Sequence, residues 1–173
     1  MNPSLAGFLG GLAGTFAMSL FEHATSRIAN DPRKLARAGA GNHTAQSEPR
    51  SHEQSLSSSE LLVDTLTRKT LSRRATQPER ERLGTTVHYA FGATAGALYG
   101  ALADRYPMVT LGQGTLYGLA VLLIADELAL PAMNLAPKPI ETPARLHAYA
   151  VGAHLAYGLG LELTRKALAS SPD

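Results

Sequence analysis

The chain has 173 residues, of which 45% are apolar and 17% are charged, and its formal net charge at pH 7 is +2. This length fits one domain, and the absence of cysteine excludes disulfides, thiolate metal sites and cysteine nucleophiles. Nucleic-acid binding is not expected, because no basic stripe is interleaved with aromatic residues. The charges are unevenly distributed: residues 24–84 hold 11 of the 16 Lys and Arg residues, whereas residues 4–21 and 87–103 hold almost none.

The first apolar segment, residues 5–21, contains no charge and lacks the basic start and the cleavage site of a signal peptide. We therefore interpret it as a retained membrane span. Its glycines repeat at four-residue intervals, a spacing that lets another helix approach closely in lipid. The predicted packing residues of this helix are Gly7, Gly11 and Gly14.

A polar insert over residues 24–84 follows the first span and is too long to be a simple turn. After Asp31-Pro32, residues 33–38 are expected to form a short helix. Residues 42–55 have the composition of a disordered segment.

The end of the insert carries two signals for helix starts. Ser57 and Glu60 have the spacing of a capping box, which predicts a short helix over residues 58–74. Its basic residues suit an anionic membrane surface, and an ordinary solvated helix is the alternative. Thr76 and Glu79 repeat the spacing and predict a helix that runs on into the next span.

The second predicted span covers residues 86–103. One of its faces carries a glycine at every fourth position, at Gly92, Gly96 and Gly100. Beside this face lies a seam that contains His88 and Tyr99, whose side chains are expected to contact other helices.

The third predicted span covers residues 109–130 and is the most apolar at its centre. At 3.6 residues per turn, Gln113, Tyr117 and Glu127 fall on one line, whereas Asp126 points the other way, towards headgroups or water. The packing residues predicted on the adjacent face are Gly114 and Gly118.

The fourth predicted span covers residues 146–163 and carries ionisable residues on one stripe. This stripe contains His147, His154 and Glu162. Such side chains are costly in a bilayer unless they face the interior of a bundle. Gly158 lies between His154 and Glu162, and we expect it to leave a gap opposite His88.

Together the four segments predict an all-α fold, an integral membrane four-helix bundle with a long polar insert between its first and second spans. Interhelical hydrogen bonds in membranes contribute only about 0.6 kcal/mol on average, so packing alone would explain the buried polar groups. The predicted intramembrane polar residues are His88, Tyr99, Gln113, Tyr117, Glu127, His147, His154 and Glu162.

A metal or proton site is a more specific interpretation than packing alone, because His nitrogen and Glu oxygen suit zinc and iron. The candidate metal ligands are His88, His154 and Glu162, with Glu127 as a further candidate. A haem between His88 and His154 is geometrically conceivable. His147 and His154 alone lie about 10.5 Å apart along the axis, too far to share an ion. The chain lacks the E-x-x-H and H-E-x-x-H metal motifs, and we predict no cofactor.

The second half contains H-Y-A-F from His88, then Tyr99, Gln113-Gly114, Gly152-Ala153-His154 and Glu162-x-x-Arg165. Over about residues 86–168 these short motifs resemble the YagU-like family of poorly characterised bacterial inner-membrane proteins. The resemblance implies a polytopic inner-membrane protein linked to acid tolerance, without an established reaction. It marks His88, His154 and Glu162 as motif residues without an assigned role.

The sequence therefore predicts a multi-pass protein of the bacterial inner membrane that is not an enzyme and contributes to acid or stress tolerance. Its expected partners are the lipid bilayer and a second copy or another membrane protein. The alternatives are a small transporter or metal-binding membrane protein, and a soluble helical interaction module. Loop charges place the insert in the cytoplasm, whereas the resemblance places both termini there, so the orientation stays open.

Overall fold

A computed structural model of the protein describes residues 1–29, 58–133, 135–136, 138–142 and 144–169. These residues form helices and no strand, which confirms the predicted all-α class. The helices are α1 Pro3–Ala29, α2 Ser58–Leu71, α3 Gln77–Arg105, α4 Thr115–Ala132 and α5 Ala144–Ala169, with 3₁₀ turns at Pro107–Thr110 and Pro139–Glu141. The helix predicted at 33–38, the disorder predicted at 42–55 and Ser57 of the first capping box lie outside the described residues.

Helix α1 packs between α3 and α5 and turns a different row of glycines to each neighbour. A methyl group at Gly7 would collide with the carbonyl oxygen of Gly96 in α3. A methyl group at Gly10 would collide with the carbonyl oxygen of Leu161 in α5. Both neighbours run antiparallel to α1, so α3 and α5 run parallel to each other. The α1–α3 contact contains Gly7, Gly11, Gly92, Gly96 and Gly100, and the α1–α5 contact contains Gly10, Gly14 and Gly160.

Helix α4 packs against α5 through a second close backbone contact. Gly158 of α5 lies against the carbonyl group of Gly114, and Gly118 lies against the carbonyl group of His154. The prediction of a gap beside Gly158, opposite His88, was wrong, because the start of α4 fills that space. At this position the missing side chain lets two backbones meet.

Helix α3 begins at Gln77, as the spacing of Thr76 and Glu79 predicted, and runs unbroken through residues 86–103. The Glu79 carboxylate accepts hydrogen bonds from the Thr76 backbone N–H at 2.8 Å and from the Thr76 hydroxyl at 3.0 Å. Arg73 binds the same carboxylate with two donors at 2.8 Å. The bonds from Arg73, and then those from Thr76, lower the pKa of Glu79 to about 2.

Helix α4 is irregular at both ends. Three residues before it have left-handed φ angles, Gly112 at 68°, Gln113 at 57° and Gly114 at 80°. This turn favours glycine, and because of it the α-helix begins at Thr115 rather than at residue 109, where we predicted the third span to begin. Residues Leu122–Ala129 form a π-helix, whose i→i+5 hydrogen bonds shift side chains away from the 3.6-residue period.

The bundle buries polar groups and exposes apolar ones. Glu162 is 0% exposed and His154 is 4% exposed, whereas large apolar side chains stand outward on α1, α3, α4 and α5. Exposed examples, one from each of these helices, are Phe16, Leu98, Leu123 and Leu163. Two segments are long and apolar enough to cross a membrane, Pro3–Thr25 and Thr115–Ala132, and only 11% of the second is buried.

Replacing Gly96 with Val should lower the free energy of unfolding by about 1–3 kcal/mol, because the added carbons collide with the backbone of α1 at Gly7 and Gly11. Ala101→Val adds bulk at an exposed position of the same helix and should change the free energy of unfolding by less than about 0.5 kcal/mol. Thermal unfolding followed by circular dichroism measures both changes. Equal stability of the two variants would contradict the α1–α3 contact.

Candidate functional site

Polar side chains meet inside the bundle in two clusters. The Glu162 cluster lies near the turn between α3 and α4 and consists of Tyr99, Gln113, Glu162, Arg165 and Lys166. The His154 cluster lies nearer the opposite end of the bundle and consists of Glu22, His88, Asp126 and His154. The eight predicted polar residues therefore do not form one site. They divide between the two clusters, a pair formed by Glu127 and His147, and Tyr117 beside Tyr99.

Glu162 is fully buried, and its carboxylate is held by donors from α3 and from its own helix. The Tyr99 hydroxyl donates to Oε2 at 3.0 Å, and Arg165 donates to Oε2 at 2.6 Å and to Oε1 at 3.0 Å. Lys166 lies 3.5 Å from Oε1 and donates to Gln113 at 2.8 Å. With all its partners in place, Glu162 links α3, the start of α4 and α5 as a structural cluster.

Tyrosines fill the space between α3 and its neighbours. The Tyr157 hydroxyl donates to the Gly92 carbonyl oxygen at 2.8 Å, and the Tyr117 hydroxyl donates to the Ala95 carbonyl oxygen at 2.7 Å. The rings of Tyr99 and Tyr117 pack with centroids 4.7 Å apart. Each buried hydroxyl thus has the partner that burial requires, and α4 and α5 are both bonded to the backbone of α3.

His154 of α5 lies beside Asp126 of α4. Nδ1 of His154 lies 3.0 Å from the Ala150 carbonyl oxygen, which can only accept, so this nitrogen carries a hydrogen. Nε2 faces Oδ2 of Asp126 at 3.6 Å. The contact is an ion pair when the imidazole is protonated and the carboxylate is ionised.

The π-helix lets the consecutive residues Asp126 and Glu127 both reach α5. The prediction that Asp126 points away from the other polar residues was wrong, because it assumed 3.6 residues per turn. Glu127 lies 2.9 Å from Nδ1 of His147, and the Pro139 carbonyl oxygen lies 3.0 Å from Nε2. Both ring nitrogens of His147 thus face oxygen atoms, and a doubly protonated ring donates to both.

Three cavities meet at His88. The largest measures about 420 Å³, lies between α1, α3 and α4, and is lined by Glu22, His88 and Asp126. A second, of about 340 Å³, shares Glu22 and His88 and extends to Glu60 of α2. A third, of about 20 Å³, is lined by His88 and His154 and has room for one water molecule.

The described residues contain no group of three or more His, Asp or Glu side chains that could hold a metal ion. His88 and His154 line one small cavity, but Glu162 lies about two helical turns from His154 and is bound by Arg165 and Tyr99. The predicted ligands His88, His154 and Glu162 are therefore not gathered around one point.

Sequence reasoning gave no site role to Glu22, Asp126, Arg165 or Lys166. Glu22 directly follows the charge-free segment of residues 5–21, and an acid at the end of an apolar segment is able to turn inward. Arg165 follows Glu162 by three residues, a spacing that places the two side chains side by side on a helix. That spacing could have predicted the ion pair, whereas nothing in the sequence indicated the direction of the Asp126 side chain.

These features define an all-helical protein that has two helices able to span a membrane and that buries ionisable residues inside its bundle. DUF1440, a family described as a protein of unknown function, matches residues 48–163, which is more than half of the chain. The protein belongs to this family. No curated protein and no solved structure matches the chain. The assignment agrees with the resemblance to an uncharacterised family and does not confirm the YagU-like name.

A double-mutant cycle tests the Glu162 cluster. Glu162→Gln should lower the free energy of unfolding by about 2–3 kcal/mol, because the largely buried Arg165 loses its counter-charge. Tyr99→Phe should lower it by about 1 kcal/mol, and the double variant should cost about 1 kcal/mol less than the sum. Tyr106→Phe, at an exposed tyrosine, is the control. Additive effects in the double variant would show that Tyr99 does not stabilise Glu162.

Proposed function

We propose that this protein is a multi-pass protein of the bacterial inner membrane, in which α1, α3, α4 and α5 cross the bilayer as a four-helix bundle. It acts there without catalysing a reaction, and its paired histidines and carboxylates make the bundle responsive to protons. Its partners in this proposal are the lipids around it and a second copy or another membrane protein.

The distribution of apolar and polar side chains supports the proposal of a membrane bundle. Large apolar side chains stand outward on four helices, while Thr15, His154 and Glu162 are buried. Water-soluble proteins rarely expose apolar surface on this scale, whereas a bilayer favours it and requires polar groups to be satisfied inside. The low burial of Thr115–Ala132 is also unlike that of a core helix in a soluble protein. Helices α3 and α5 join the proposed bundle because both pack on α1 and present the same apolar exterior.

The His–carboxylate pairs provide a physical mechanism for a response to acid. A change in the charge of either partner changes the attraction between Glu127 and His147 and between Asp126 and His154. Both pairs join α4 to α5, so acidification acts on the same helix contact twice. The acid tolerance implied by the YagU-like resemblance would follow from this change.

A small transporter or ligand-binding membrane protein is the second candidate, and the cavities that meet at His88 favour it. Metal binding has less support, since the described part of the chain offers no group of three ligands. A soluble helical interaction module is the remaining alternative, and the topology experiment also tests it.

The absence of cysteine allows topology to be measured with single substitutions at exposed positions. The three variants are Thr70→Cys in α2, Asp104→Cys near the end of α3 and Lys138→Cys in the link before α5. A membrane-impermeant maleimide is applied to intact spheroplasts and to inverted vesicles. Four spans predict that positions 70 and 138 react from one side and position 104 from the other.

Each alternative predicts a different labelling pattern. If only α1 and α4 cross the bilayer, positions 70 and 104 react from one side and position 138 from the other. Recovery of the protein in the aqueous fraction without detergent would contradict every membrane arrangement and favour the soluble module.

A further inference from the structure

The cavity of about 420 Å³ has the size of a site for a drug-sized molecule. Its wall is formed by α1, α3 and α4, with contributions from the start of α2 and the residues after α4. Most of the lining is apolar and includes Met18, Phe91, Ala125, Ala129, Leu130 and Leu135. An occupant therefore needs an apolar body.

The charged part of the lining has one sign. Glu22 of α1 and Asp126 of α4 both line the cavity, and none of the described residues that line it is Lys or Arg. Glu22 takes part in no ion pair among the described residues. Behind Asp126, Nε2 of the buried His154 has, within the described chain, only the 3.6 Å contact with that carboxylate. An apolar site that is lined by two carboxylates and, among the described residues, by no Lys or Arg fits a cation.

We propose that this cavity binds a monovalent organic cation with an apolar body, such as an amphipathic ammonium or phosphonium ion. Glu22 and Asp126 neutralise its charge, and the Phe91 ring supplies an aromatic face on which the cation can rest. The neighbouring cavity of about 340 Å³ shares Glu22 and His88 and leaves room for a longer substituent. This inference rests on the proposed membrane bundle and names the ligand class that the bundle would take.

Proton and cation compete for the same carboxylates. Asp126 faces His154 from α5, Glu22 from α1 and His88 from α3, and Glu127 follows it on its own helix. A cation that enters the cavity is attracted only by an ionised carboxylate, so its binding displaces to solvent any proton held on Glu22 or Asp126. Acidification opposes binding, because a protonated carboxylate no longer attracts the cation.

Two ions of the same shape and opposite charge test the proposal. Tetraphenylphosphonium and tetraphenylborate are each titrated into the purified full-length protein in dodecyl maltoside by equilibrium dialysis, with protein-free micelles as the blank. The cation should bind with saturation, and the anion should partition no more than it does into the blank. Binding of the cation should be weaker at about pH 5.5 than at about pH 8, and calorimetry in two buffers should show proton release.

Variants locate the binding to this cavity. Asp126→Asn and Glu22→Gln should each weaken the binding of tetraphenylphosphonium by about tenfold or more. Ala125→Leu fills the cavity without changing any charge and should weaken it as well. Asp104→Asn removes an exposed acid at the end of α3 and should leave the affinity unchanged. Gel filtration and circular dichroism show whether each variant is folded.

Equal binding of the cation and the anion would overturn the proposal, since the cavity would then act only as an apolar surface. An unchanged affinity in both folded carboxylate variants would overturn it as well. Neither result bears on the labelling of positions 70, 104 and 138, so failure of the ligand proposal is distinguishable from failure of the membrane topology.

Discussion

The simultaneous close approach of α1 to α3 and α5 is the constraint on which the rest of the structure depends. Glycines face the backbones of both neighbours, and no side chain larger than hydrogen fits at Gly7 or Gly10 without a collision. This contact sets the separation of α3 and α5. At that separation the Tyr99 hydroxyl reaches Glu162 and the Tyr157 hydroxyl reaches the backbone at Gly92. The buried carboxylate is therefore a consequence of the glycine contact and is stabilised by it.

The irregular geometry of α4 decides what the other end of the bundle can do. Asp126 and Glu127 both lie in the π-helix, and each contacts a histidine of α5. One pair lies beside Pro139 in the link before α5, and the other lies beside a cavity. The Glu162 cluster holds the bundle together, and the His154 cluster borders the cavity that we propose as a ligand site. The two roles are separated along the axis of the same helix, α5.

Regular periodicity and capping chemistry predicted the helical class, the start of α3 at Gln77 and the polar stripe of α5. The π-helix escaped prediction, and so did the left-handed turn at residues 112–114, although two of its three residues are glycines. The direction of the Asp126 side chain, which had been derived from a regular period of 3.6 residues, was therefore wrong. The ion pair of Glu162 with Arg165 was readable from their spacing, whereas the cavities at His88 depend on three helices meeting. The number of membrane spans stays a prediction.

Site-directed spin labelling tests most directly the proposal that four helices turn apolar side chains to lipid around a polar interior. Single nitroxide labels are placed on Phe16, Leu98, Leu123 and Leu163, one on each helix of the proposed bundle, in protein reconstituted into liposomes. All four labels should collide readily with oxygen, which is concentrated in lipid, and poorly with a water-soluble nickel chelate. Ready collision of the labels on α3 and α5 with the nickel chelate would contradict it.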